Sequence, residues 1–177
     1  MPSPGTLAAG EFTTWLGSIG RALRDGGDSD VPCNGCTACC TAGQFIHVGP
    51  DEAGARAAIP AVLLVPAPGF PDGYAVMGHD ESGRCPMLLN GSCSIYEHRP
   101  RACQTYDCRV FTATGVIDDA PPRAAVMEQA GRWEFDYADD AALAQQASLR
   151  SAAAGLSEPN PLGRALAAIA AVLQARG

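Results

Sequence analysis

The chain has 177 residues and a formal net charge of −7, with 47% apolar and 18% charged residues, the balance of a single globular domain rather than a disordered segment. All of its basic residues are scattered arginines, which with the acidity argues against non-specific binding to nucleic acid or to an anionic membrane. The apolar run from Ala165 to Leu173 is far too short to span a bilayer.

In chain order, Glu11 to Arg24 reads as an amphipathic helix. Phe12, Trp15, Leu16, Ile19 and Leu23 recur on one face, and Gly26-Gly27 provides the stop. Asp28-Ser29-Asp30 then leads into a first cysteine block. Phe45-Ile46-His47-Val48 predicts a short strand, and Pro50-Asp51-Glu52 opens a helix that ends near Ile59-Pro60. Pro60, Pro66, Pro68 and Pro71 make residues 60–73 a surface loop, after which Tyr74 to Met77 is a strand. Beyond a second cysteine block, helices are expected from Pro121-Pro122 towards Gln129, from Asp139-Asp140 to Ser151, and after Pro161. The last carries the stripe Leu162, Leu166, Ile169 and Leu173. These elements predict one α+β domain over 1–177. Short strands and loops gather around a cysteine core at 33–109, and the N-terminal helix and a helical part at 120–177 pack over it.

The chemistry lies in the cysteines. The first block is Cys33-Asn34-Gly35-Cys36-Thr37-Ala38-Cys39-Cys40. A C-x2-C pair puts two sulfurs on one turn, within about 2.3 Å of a shared ion. Extended to C-x2-C-x2-C, the same spacing wraps three irons of a cubane. Adjacent side chains diverge, so Cys39 and Cys40 are expected to ligate different ions, or one of them to pack. The second block supplies Cys85, Cys93, Cys103 and Cys108, which brings the total to eight thiols. Arg84, Arg99, Arg101 and Arg109 flank these cysteines, where positive charge would offset thiolate charge. A disulfide framework needs an oxidising compartment. Met1-Pro2-Ser3-Pro4-Gly5 has neither the basic region nor the apolar run of a secretory signal, so a cytoplasmic location and metal binding are expected instead. His47, His79 and His98 are not needed as ligands when eight thiols are present.

The pattern Cys33-x2-Cys36-x2-Cys39-Cys40, then Cys85-Pro86-Met87-Leu88, then Cys93-Ser94-Ile95-Tyr96-Glu97-His98-Arg99-Pro100-Arg101-Ala102-Cys103 resembles the CxxCxxCC cysteine-cluster family, often called YkgJ-like. The resemblance runs over roughly residues 33–109. It implies chelation of zinc or iron, with an iron–sulfur cluster as one form of the centre. One departure is local: the family usually continues Cys-Arg-x-Phe-Pro, whereas here Cys103-Gln104-Thr105-Tyr106-Asp107-Cys108 follows, which puts Cys108 outside the core pattern.

The expected function is a metal-binding protein that holds zinc or iron through all eight cysteines, with metal ions as its partners and neither nucleic acid nor membrane among them. The C-x2-C-x2-C run and Cys85-Pro86 lean towards iron–sulfur, and the loop-rich remainder leans towards structural zinc. Two alternatives are a cluster-dependent protein-modifying enzyme, by similarity to a flagellin lysine methylase, and a thiol redox sensor. No Ser-His-Asp order, HExxH helix, phosphate-binding loop or dinucleotide fingerprint supports catalysis.

Overall fold

The structure, a computed structural model, describes residues 5–25, 31 and 35–175. Its elements in order are β1 (Leu7–Glu11), α1 (Phe12–Asp25), β2 (Ile46–Val48), α2 (Ala53–Ala58), β3 (Val65–Pro66), β4 (Ala75–Met77), β5 (Leu88–Leu89), β6 (Ser92–Cys93), α3 (Arg101–Gln104), α4 (Arg109–Thr114), α5 (Ala124–Ala130), β7 (Trp133–Asp136), α6 (Asp140–Gly155) and α7 (Pro161–Gln174). The chain is α+β, as its patterning predicts. Among the described residues, no helix is long and apolar enough to cross a membrane. The fold divides into two compact units. One comprises Met1–Ser29, Asp107–Ala120 and Val126–Gly177, and the other Asp30–Tyr106 and Pro121–Ala125.

In the first unit, helix starts coincide with side-chain acceptors for otherwise unpaired N–H groups. The Glu11 carboxylate accepts from the Thr13 and Thr14 N–H groups at 2.8 and 2.7 Å, at the start of α1. Asp139 accepts from Ala142 N–H at the start of α6, and Asn160 from Gly163 N–H at the start of α7, both at 2.9 Å. The apolar face of α1 is buried at Phe12, Trp15, Leu16 and Ile19, but Leu23, expected on that face, stays 43% exposed. The stop expected at Gly26-Gly27 lies outside the described residues.

Two strands were not foreseen: β1 and β7 pair in parallel, Leu7 opposite Trp133 and Glu11 opposite Asp136. Phe135 then meets the Phe12 ring edge-on, with centroids 5.3 Å apart. Helix α7 buries Ala165, Ala168 and Ile169 completely, while Leu162, Leu166 and Leu173 of the expected stripe are only half-buried. Small residues let helices approach closely: a Cβ on Gly20 would stand 2.5 Å from Leu173 Cδ1.

In the second unit, β2, β4 and β3 form an antiparallel sheet in the order β2-β4-β3, with Ile46 opposite Met77 and Val48 opposite Ala75. Period-2 alternation sends Ile46, Val48 and Met77 to one face. There they pack with Ala55 and Ile59 and with Met87, while His47 turns the other way and stacks on Phe70 at 3.9 Å. The segment 60–73, read from sequence as loop throughout, contains β3. Pro66 is tolerated there because β3 is an edge strand, and two residues are too few to show a period. A hairpin also went unforeseen. Leu88 pairs with Cys93 and Leu89 with Ser92 around Asn90 and Gly91, both at positive φ, as a tight two-residue turn requires.

Candidate metal centre

The second unit carries six of the expected ligands: Cys36, Cys39, Cys40, Cys85, Cys93 and Cys103, each half-buried. Cys33 lies outside the described residues. Cys39 and Cys40 sit on a single 3₁₀ turn, Ala38–Thr41, held by Cys40 N–H donating to Thr37 C=O at 2.9 Å. Just before it, the Cys36 sulfur accepts from Ala38 N–H at 3.5 Å.

The two blocks, far apart in sequence, are joined through the main chain. Cys85 N–H donates to Cys40 C=O at 2.7 Å, and Gly43 N–H donates to Gly83 C=O at 2.9 Å. Cys85-Pro86-Met87-Leu88 is a turn closed by Leu88 N–H to Cys85 C=O at 3.0 Å, which buries Met87 and leaves the Cys85 thiol against the apolar core. Cys103 reaches the same core from α3, whose first N–H, on Arg101, is capped by the Glu52 carboxylate at 2.5 Å.

Cys39, Cys40, Cys85 and Cys103 together line one small cavity of about 30 Å³, along with Gln44, Ile46, Ala102 and Tyr106. No carboxylate or imidazole lines it, so its donor chemistry fits a thiophilic ion. Among the described residues, no group of three or more His, Cys, Asp or Glu side chains has the geometry to hold a metal ion as it stands.

The thiols feel one another. A hydrogen bond from the Cys39 thiol brings Cys40 down to about 7, against burial, with the Arg99 charge helping. Both thiols of this adjacent pair line the one cavity. Burial pushes Cys103 up to about 12, reinforced by negative charge at Cys85, Cys40 and Cys93 and opposed by Arg99. Burial also raises Cys85, where charge at Cys40 and Cys93 adds to the effect and the Met87 amide opposes it. Metal-free protein treated briefly with iodoacetamide at neutral pH is expected to label Cys40 well before Cys103. About half of Cys40 is thiolate at pH 7 and almost none of Cys103, and only the thiolate reacts. Labelling of Cys40 rises with pH through 7 and then levels off, as peptide mapping across pH 6–9 would record; equal rates at the two cysteines would contradict this polarity.

Of the four flanking arginines, Arg99 is the one whose charge acts on both Cys40 and Cys103. Its guanidinium lies 3.8 Å over the Tyr96 ring, and its Nε donates to Tyr96 C=O at 3.1 Å. This explains the Tyr96 and Arg99 positions of the motif, while Ile95 packs on the core and Pro100 is fully buried. Arg101 instead pairs with exposed Asp51 at 2.7 Å. Arg109 is in the first unit, paired with Asp107 at 2.8 Å. Cys108 also belongs to that unit, where it is buried and its sulfur accepts the Trp133 indole N–H at 3.2 Å. His79 Nδ1 lies 2.9 Å from the Asp80 carbonyl. Sequence reasoning did not pick out Arg99 among the four arginines, nor Glu52 as the cap that aims Cys103.

No curated protein and no solved structure matches the chain significantly. A family model does: CxxCxxCC, described as "Putative zinc- or iron-chelating domain", matches residues 32–121, just over half of the sequence and twelve residues beyond the stretch where the resemblance is visible by eye. With its cysteines drawn from both blocks to one cavity, the protein belongs to the CxxCxxCC family, and that membership supports metal binding.

Proposed function

We propose that this protein holds zinc or iron through thiolates of the second unit, with Cys36, Cys39, Cys40, Cys85, Cys93 and Cys103 available among the described residues and Cys33 added by the motif. The observation that carries this reading is the convergence of Cys39 and Cys40 with Cys85 and Cys103 on a cavity lined by four sulfurs and by neither carboxylate nor imidazole. An iron–sulfur cluster is the form favoured by the C-x2-C-x2-C run, with Arg99 offsetting the thiolate charge. Structural zinc is favoured by the four sulfurs that line the cavity, the number a tetrahedral site takes, and by the short, loop-rich elements around them. Ligation of either kind turns the thiols from their present orientations towards a common point. Cys108 is left out of the proposed ligand set, since its sulfur is engaged by Trp133 in the first unit. The reading places the protein in a reducing cytoplasm, where such thiols stay free for metal.

Metal analysis and a visible spectrum of anaerobically purified protein test the proposal. Zinc or iron near stoichiometry is expected, and an absorbance band near the visible in the iron case. Cys36→Ser and Cys85→Ser should each lose most of the metal, and Cys108→Ser little. Eight free thiols and no metal in protein prepared without chelator would overturn the proposal.

A further inference from the structure

Cys39 and Cys40 are consecutive on the turn Ala38–Thr41, both half-buried, both lining the cavity, and hydrogen-bonded to each other through their side chains. The turn is fastened around them: Thr41 Oγ1 donates to Ala38 C=O at 3.0 Å, and Cys85 N–H donates to Cys40 C=O at 2.7 Å. Consecutive Cα atoms across a trans peptide stand about 3.8 Å apart, less than the roughly 4.4–6.8 Å of an ordinary disulfide. A bridge between these two sulfurs would therefore be strained, and a strained bridge is readily reduced, as a reversible device requires. Cys85 and Cys103 are packed against the apolar core, whereas Cys39 and Cys40 share one turn and one wall of the cavity.

Building on the metal-centre reading above, we propose that a hydroperoxide converts Cys39 and Cys40 of the metal-free protein into a reversible vicinal disulfide, and that this bridge blocks metal loading. In the first step the Cys40 sulfur attacks the peroxide, and the O–O bond breaks. The alcohol (water, for hydrogen peroxide) departs with the thiol proton, leaving Cys40 as a sulfenic acid. In the second, the Cys39 sulfur displaces the hydroxyl, which leaves as water with the Cys39 proton, and the S–S bond forms. Two thiols lose two electrons in all, and one hydroperoxide gains them. A dithiol reductant restores both thiols by exchange.

The test uses the full chain, reduced, stripped of metal and treated with one equivalent of hydrogen peroxide. The mass should fall by about 2 Da, the loss expected for one new disulfide, and fragmentation should place the bridge within the Cys39-Cys40 peptide. Zinc uptake, read by competition with a chromophoric chelator, should drop at least tenfold and return after dithiothreitol. Cys39→Ser should gain oxygen under the same treatment instead of losing hydrogen, because the resolving thiol is gone. A bridge mapped to another pair, such as Cys40 with Cys85, would overturn the proposal, as would undiminished zinc uptake by the bridged form. Reduced protein that takes up neither zinc nor iron would remove the metal reading and the loading step with it, whereas the bridge itself is read from mass alone.

Discussion

Stripping the metal is expected to lower the melting temperature by at least about 10 °C, with the loss of amide protection concentrated in residues 35–106. The second unit has little else to hold it. Its buried cluster consists of Ile46, Val48, Ala55, Ile59, Met77 and Met87. Its strands run two or three residues, and α2 and α3 only six and four, lengths at which no helix or hairpin is stable alone. Cys85 and Cys103 pack on that cluster from one side and face the cavity from the other, so a metal joined to both ties the core to the turn that bears Cys39 and Cys40. The same link closes the long segment between the blocks and so restricts the unfolded chain. A ligand present at about 100 times its Kd adds about 2.7 kcal/mol to the folded state. In a unit of this size each kcal/mol is worth roughly 4–8 °C. Calorimetry with and without a strong chelator, paired with hydrogen exchange, reads both effects. Unchanged melting and unchanged protection would make the metal a passenger on a self-sufficient fold.

The parts of this fold that could be read from sequence are those with a long period or a spelled-out ligand. Helices α1 and α7 announce themselves through apolar spacing, and α6 and α7 through Asp139 and Pro161 at their starts. Strand β1, Leu7-Ala8-Ala9-Gly10-Glu11, carries no alternation, and its extended form comes from pairing with β7 across the length of the chain. Strand β7 does alternate, Trp133 and Phe135 in and Glu134 and Asp136 out, but four residues are too few to stand above chance. Asn90-Gly91 is a hairpin signal, but the strands it joins are two residues each, too short to show alternation. At the site, cysteine spacing identified the thiols but could not rank them. That Cys40 accepts a hydrogen bond from Cys39, that Cys103 is buried beyond easy ionisation, and that Arg99 rather than Arg84 acts on both are consequences of tertiary placement. The same holds for Cys108, one residue from Asp107 and Arg109, whose surroundings are set by Trp133.

Asp107→Ala is expected to destabilise the first unit by about 3–5 kcal/mol, as breaking one side of a buried ion pair does. Asp107 and Arg109 are each only 3% exposed. The carboxylate accepts from Trp15 Nε1 at 2.9 Å, from Arg109 N–H at 2.9 Å and from Arg109 Nη2 at 2.8 Å. Arg109 Nη1 meanwhile donates to the Ala9 carbonyl at 3.0 Å, so the pair fastens β1 and α1 to the start of α4. Removing the carboxylate leaves a guanidinium in a low-dielectric interior without this counter-charge, and arginine cannot escape by losing its proton. The indole N–H of Trp15 loses its acceptor at the same time. Against a total stability of about 5–15 kcal/mol for a domain, that is a large fraction. The paired change Asp107→Leu with Arg109→Met should recover part of the loss, because it removes both charges and fills their volume with apolar atoms, while the Trp15 indole N–H and the Ala9 carbonyl still lose these partners. Denaturant midpoints for the wild type, the single variant and the pair, compared at constant m-value, measure this directly. A single variant within about 1 kcal/mol of the wild type would mean that water reaches the guanidinium once the carboxylate is gone, so that the pair is not the fastener its burial implies.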